Sequence, residues 1–247
     1  MHLWEMDRDY TVAGWTTRPE ALAPTIEGRY VRIAPLVVQR DAPMLWAAFE
    51  DPNALMRFFS WPQFPDVHAF GSLLQAQNEN GYMSTACFWI EERPVGMASY
   101  MRRDAANGSV EVGAVAHGPR LAKTRAATEA HYLLARHVFE TLRYRRYEWK
   151  CDARNEASRR AAIRLGFTHE GTFRQHAVVK GENRDTAWYS MLDSEWPARS
   201  RAACEWLAPA NFDAEGRQRR RLEDVRAQLG VNTGDVRGAP PTRQPQN

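Results

Sequence analysis

Val112-Gly113-Ala114-Val115-Ala116-His117-Gly118-Pro119-Arg120-Leu121-Ala122-Lys123-Thr124-Arg125-Ala126-Ala127-Thr128-Glu129-Ala130 is the stretch that decides the architecture. It reads as a strand, then a loop rich in small and cationic residues, then the opening of a helix. Ala127, Ala130, Leu134 and Val138 recur at three- and four-residue steps, the period of an amphipathic helix, which Arg143-Tyr144 closes. Free backbone amides at a helix start, together with the helix dipole, form an anion site. Arg120, Lys123 and Arg125 add three cations around it. Two readings fit those cations: a phosphate-bearing ligand, or a basic helix start held in solvent.

Downstream, Arg145 to Cys151 alternates as a strand. The helical crossover between it and the Ser109–Ala116 strand requires parallel pairing. Ala157, Ala161 and Leu165 then mark a short helix that Gly166 ends, and 167–179 and 186–192 form a hairpin around Lys180-Gly181-Glu182-Asn183. Upstream, Gly28 to Leu36 reads as a strand, and Asp41 as the cap of a helix that Asp51-Pro52-Asn53 ends. A second helix is expected over 65–77. Strands over 85–91 and 95–101 flank Glu92-Arg93-Pro94, and Asn107-Gly108 is a turn. The expected fold is α/β: a mixed sheet in the order β-α-α-β-β-β-α-β-α-β-β, with helices on both faces and a C-terminal helical extension.

Residues 1–26 read as an arm that Trp4, Tyr10 and Trp15 pin to a body over 27–196. The extension covers 197–230, with helices expected over 199–207 and 215–229, and 231–247 reads as disordered. The chain has 247 residues, 44% of them hydrophobic, which excludes a wholly disordered protein. Lys and Arg number 33 against 30 Asp and Glu, a net charge of +3. From Ala214 onward seven arginines face four acids, so this surplus of three lies in the tail and the body is near neutral. That argues against a nucleic-acid-binding body. Cys87, Cys151 and Cys204 have neither disulfide nor zinc spacing, and no apolar run approaches the roughly 18 residues of a membrane span. A soluble, cytoplasmic protein without a metal is the expectation.

Asn155-Glu156-Ala157-Ser158 opens the second post-loop helix, and by itself Asn155 is an ordinary N-cap. In combination with the strand, the anion-binding turn, the second strand and Leu165-Gly166-Phe167, the chain resembles the GNAT superfamily of acetyl-coenzyme A-dependent N-acetyltransferases, closest to the RimJ/RimL branch. The resemblance runs from about Glu27 to Trp196 and rests also on Thr128-Glu129-Ala130 and Glu170-Gly171. It implies that the loop amides cradle the coenzyme A pyrophosphate, through Arg120, Lys123, Thr124, Arg125, Ala126 and Ala127. Asn155 and Ser158 would approach the pantetheine arm and thiol, and the amide near Val115 and Ala116 would polarise the thioester oxygen. One departure stands out. The family turn reads Arg/Gln-x-x-Gly-x-Gly/Ala, and here it is Arg120-Leu121-Ala122-Lys123-Thr124-Arg125. Losing glycine narrows the cradle, whereas added cations hold phosphate themselves.

Acetyl transfer to an amine with a pKa near 10 needs a base. Glu111, on the strand before the cradle, is the candidate; the competing reading is an exposed carboxylate beside Arg102 or Arg103. His169 and Glu170 are weaker alternatives. Ser158 is the hydroxyl for the leaving thiolate, with Tyr144 and Tyr147 as substitutes. His117 and His131 read as exposed. Trp46, Trp89, Trp149 and Trp188 read as core packing, and Phe58-Phe59-Ser60-Trp61 as either core or an acceptor wall, joined by Asn183-Arg184-Asp185. Arg219 to Asp224 reads as a charged helix with intrahelical pairs, able to support a homodimer. The implied activity is acetyl transfer from acetyl-coenzyme A to a primary amine, on a small molecule or a peptide. The alternatives are a non-catalytic acyl-coenzyme A sensor or an interaction module on the same scaffold.

Overall fold

The computed structural model describes residues 11–230. Trp4, Tyr10 and the tail beyond Gly230 lie outside those residues. Eight strands form one sheet: β1 (Ile26–Glu27), β2 (Arg32–Pro35), β3 (Met83–Ile90), β4 (Arg93–Asp104), β5 (Ser109–His117), β6 (Arg146–Asp152), β7 (Thr168–Val179) and β8 (Glu182–Leu192). Their spatial order is β1-β2-β3-β4-β5-β6-β8-β7. Only β5 and β6 run parallel, as the helical crossover between them requires. The helices are α1 (Val38–Ala48), α2 (Pro52–Leu55), α3 (Val67–Glu79), α4 (Arg125–Arg136), α5 (Glu156–Leu165), α6 (Trp196–Leu207) and α7 (Leu222–Gln228). This is the mixed α/β fold expected from the sequence.

Three local assignments are corrected. The strand expected over 28–36 is shortened to β2, because a tight turn joins β1 to β2, where the buried Glu129 carboxylate accepts from the amides of Arg29, Tyr30 and Val31. Asp41 lies inside α1 and reaches back to the Val37 amide at 2.8 Å, so it caps from the first turn and not from the flanking position. Asp51-Pro52-Asn53 opens the short helix α2, with Asp51 accepting from the Ala54 amide.

Each face of the sheet buries one core. Phe70 and Leu74 of α3 and Leu45 of α1 pack under Cys87, Met97 and Met101. On the other face, α4 presents Ala126, Ala127 and Ala130, whose small side chains let the helix lie close to Phe88, Tyr100 and Val112. Trp15 pins the arm as expected: its indole donates to the Ala106 carbonyl at 2.7 Å, against the Asn107-Gly108 turn.

The extension folds back onto the body. Helix α6 packs on α4, and α7 packs on α5 and α6. Trp206, Phe212, Leu222 and Val225 form its own buried cluster, closed against Tyr30 and Tyr132. The 215–229 helix is shorter than expected, because the chain before α7 is a loop stapled by the buried Asn211. That side chain donates to the carbonyls of Trp206 and Arg220 and accepts from the Arg220 amide. The expected intrahelical pairs are replaced: Arg220 reaches Glu205 of α6 at 2.7 Å, and Arg217 pairs within the loop with Asp213 and Glu215.

Candidate active site

The site begins where β5 and β6 part. They pair only from Ser109–Arg146 to Val112–Trp149. Beyond that, β5 carries a bulge against β4: Gly113 faces Ser99 and Ala116 faces Met97, with Ala114 in a left-handed conformation at φ +49°. Val115 has no register partner on either neighbouring strand. The two strands thereby splay, and a cavity of about 1740 Å³ opens above the gap.

On one side the cavity meets the start of α4. Thr124 caps this helix, its hydroxyl accepting from the Ala127 amide at 3.2 Å and donating to the Leu121 carbonyl at 2.7 Å. The amides of Lys123, Arg125 and Ala126 have no backbone acceptor among the described residues. Lys123 adopts φ +63°, the conformation for which glycine is the usual choice. The lysine therefore preserves the backbone path, and the nest of free amides survives the change of side chain. Lys123, Thr124 and Ala127 line the cavity; Arg120 and Arg125 turn elsewhere. Arg120 lies 3.6 Å from Glu91, and Arg125 stacks on Tyr30 with its guanidinium 4.3 Å from the ring. Ala126 is buried in the core.

Helix α5 supplies the middle. Asn155 accepts from the Ser158 amide at 3.1 Å, and Gly166 ends the helix at φ +103°. The Ser158 hydroxyl accepts from the Trp149 indole at 3.0 Å, which leaves its own proton to donate into the cavity or to the neighbouring Cys151 thiol. Burial raises the Cys151 pKa, so this thiol stays protonated at neutral pH.

Glu111 stands at the floor of the cavity, 2% exposed. The expected alternative, an exposed strand carboxylate, is overturned by that burial. Its carboxylate meets the Lys150 ammonium at 2.9 Å and the Arg102 guanidinium at 3.8 Å. Burial raises its pKa above the usual carboxylate value, and Lys150 and Arg102 oppose the shift. Gly113 keeps the space open: a Cβ there would stand 3.0 Å from a Glu111 oxygen and 2.5 Å from Met101 Sδ.

His169, Glu170 and the two tyrosines fall away from the cavity, whereas His117 and His131 line it. Glu170 is held by Arg146 and Ser190, and His169 packs on Tyr189. Tyr147 is buried in the core, and Tyr144 donates to the Pro19 carbonyl. The two histidines are not exposed: His131 is buried, and its Nε2 lies 3.2 Å from that of His117. Desolvation pushes His117 down to about 4 and His131 well below its ordinary value, so both rings are neutral at pH 7. Phe58, Phe59 and Trp61 line the cavity, and Arg184 ties their loop to the β7–β8 hairpin through the Phe58 carbonyl and Ser60 hydroxyl. Lys150, Arg164, Trp206, Phe212 and Arg221 also line it and were not anticipated. No local pattern singles these out: Lys150 shares its face of β6 with Arg146 and Glu148, opposite the buried Tyr147, Trp149 and Cys151.

A family model described as an acetyltransferase (GNAT) domain matches residues 31–168. A GCN5-related N-acetyltransferase from Brucella melitensis is 42% identical, with a TM-score of 0.82 over 87% of this chain and 99% of that one. The chain belongs to the GNAT acetyltransferase family. A GNAT-family chain from Chromobacterium violaceum ATCC 12472 is 37% identical, with a TM-score of 0.73 over 77% and 96% of the two chains. A Salmonella typhimurium acetyl transferase that modifies the N-terminal serine of ribosomal subunit protein L7/L12 shares the GNAT fold, at 18% identity and a TM-score of 0.59 over 67% and 96%. No curated protein matches. As a GNAT member the chain is an acyltransferase, and its family uses acetyl-coenzyme A as donor.

Proposed function

We propose that this chain binds acetyl-coenzyme A along the cavity and moves its acetyl group directly to a primary amine in a ternary complex. The observation that carries the reading is the continuity of one cavity from the start of α4, at Lys123, Thr124 and Ala127, to the carboxylate of Glu111. The amide nest and Lys123 hold the pyrophosphate, and Asn155 and Ser158 border the pantetheine arm. Acetyl-coenzyme A supplies an activated acyl carbonyl. The unpaired backbone at Val115 faces the charge that develops on its oxygen. Glu111 takes the proton of the incoming ammonium, directly or through water, and its raised pKa suits it to that work. Ser158, with one lone pair occupied by Trp149, donates to the departing sulfur.

The acceptor amine enters between the Phe58–Trp61 loop and the β7–β8 hairpin, where aromatic rings receive an apolar neighbour of the amine. A peptide N-terminus of the kind the RimJ/RimL branch modifies and a small aromatic amine both answer that description. The sensor reading drew its motive from the missing glycines, and the left-handed Lys123 removes most of it.

Calorimetry with acetyl-coenzyme A, followed by a free-thiol release assay over a panel of peptides and small amines, tests the proposal. Turnover is expected for at least one acceptor. Glu111→Gln should then lower kcat/KM by about 100-fold or more near neutral pH, with the deficit shrinking as alkali deprotonates the amine itself. Binding without turnover on any acceptor would favour the sensor, and a pH-independent deficit would remove Glu111 as the base.

A further inference from the structure

The half-buried Arg164 is the least explained charge around the cavity. It projects from α5 far beyond Ser158, and it is carried by none of the motifs that mark the family in this sequence. No carboxylate among the described residues lies within 4.0 Å of it. Its Nη1 donates to the Thr128 hydroxyl at 2.9 Å, one turn along α4 from the Thr124 cap, and its guanidinium lies 4.9 Å from the ring centre of Trp206. Trp206 is itself fixed, 2% exposed, its indole donating to Gln218 at 3.0 Å and its ring edge-on to Phe212. The cation is thus aimed by α4 on one side and by the extension on the other.

Arg221 borders the same part of the cavity, its nearest carboxylate being Glu223 at 3.4 Å. Lys123, in the loop before α4, lines the same cavity. Arg160 and Arg217 also line this region, but both are engaged with acids, Arg160 with Glu156 and Arg217 with Asp213 and Glu215. A desolvated guanidinium that lacks a carboxylate is stabilised by an anion, and its planar fork matches phosphoryl oxygens. Burial disfavours the charged form of Arg164, with Glu223 partly offsetting that.

We propose that the C-terminal extension is a structural wall of the donor site, and that Arg164 and Arg221 bind a phosphoryl group of the nucleotide end of the acyl carrier, Trp206 serving to position Arg164. This rests on the donor-binding reading above. One cation of the positively charged C-terminal segment, Arg221, then serves a small ligand inside the chain's own cavity.

The test is calorimetry on the full chain with coenzyme A, 3′-dephospho-coenzyme A and pantetheine, for the unaltered protein, Arg164→Gln and Arg221→Gln. Arg221 is largely exposed, so its variant keeps the test valid if Arg164→Gln fails to fold. Arg164→Gln is expected to weaken coenzyme A binding at least 10-fold and Arg221→Gln about 3-fold, with pantetheine binding unchanged. A loss confined to coenzyme A places the contact on the 3′-phosphate; an equal loss for dephospho-coenzyme A places it on the pyrophosphate. Unaltered affinity in both variants, with the parent protein binding normally, overturns the inference and leaves the donor-binding reading intact. Failure of the parent protein to bind coenzyme A overturns both.

Discussion

The loop before α4 and the extension from α6 to α7 border the same cavity, yet they are built on opposite principles. The loop works through its backbone. The Thr124 cap and the left-handed turn at Lys123 leave the amides of Lys123, Arg125 and Ala126 without a backbone acceptor, so what this loop offers is set mainly by its φ angles. The extension works through side chains, with Trp206, Phe212 and Asn211 fixing a scaffold from which Arg221 projects and against which Arg164 rests. A backbone site tolerates substitution wherever the φ angle can be met. A side-chain site is lost with one residue.

The largest effect that would break this contrast is on the extension. Trp206→Ala removes a buried aromatic anchor and should cost about 3–5 kcal/mol of stability, read by urea unfolding. A cost below about 1 kcal/mol would mean the extension is draped on the body and holds nothing in place. Acid sharpens the contrast next. The folded pKa values of His117 and His131 are depressed, so their contribution is intact above about pH 6.5 and is lost as pH falls towards 4. Keeping His117 neutral in the fold withdraws up to about 3 kcal/mol over that window, and His131 acts in the same direction. Unfolding midpoints measured between pH 7 and 4.5 should fall for the parent protein and fall less for His131→Gln; identical slopes would show that the pair charges freely in the folded state. The smallest effect is on the loop. Lys123→Gly should relieve the left-handed strain and stabilise by about 0.5–1 kcal/mol, while coenzyme A affinity by calorimetry changes less than about 3-fold. A 10-fold loss would mean the lysine ammonium, and not the nest, carries the phosphate.

The same contrast explains what was legible in the sequence. Strand, loop and helix succession, the Asn155 cap and the Gly166 stop follow from rules acting over a few residues, and they were readable. Asp41 reads as a flanking cap but acts from the first turn, because one side chain can cap from either place, and Asp51 reads as a helix stop although the same residue opens α2. The burial of His117 and His131 depends on Phe88 and Trp149, which come from other strands, and no local pattern reports that. Arg164 lies on a helix read correctly, but its meaning comes from Trp206, which the chain brings back only after a hairpin and another helix. Glu111 was found by its strand and face; its pairing with Lys150 needed the parallel register of β5 and β6.

The return of the extension onto α4 and α5 also sets an order of events at the ribosome. Thr124 and Ser158 emerge well before Arg221, and at about 5–20 residues per second the gap between cradle and wall is on the order of 5–20 s. During that interval the chain holds the loop before α4 and helix α5, while the faces of α4 and α5 that α6 and α7 cover in the finished fold have no cover yet. If Arg164 and Arg221 hold the donor's phosphate as proposed, full grip on the donor arrives as a late step of synthesis.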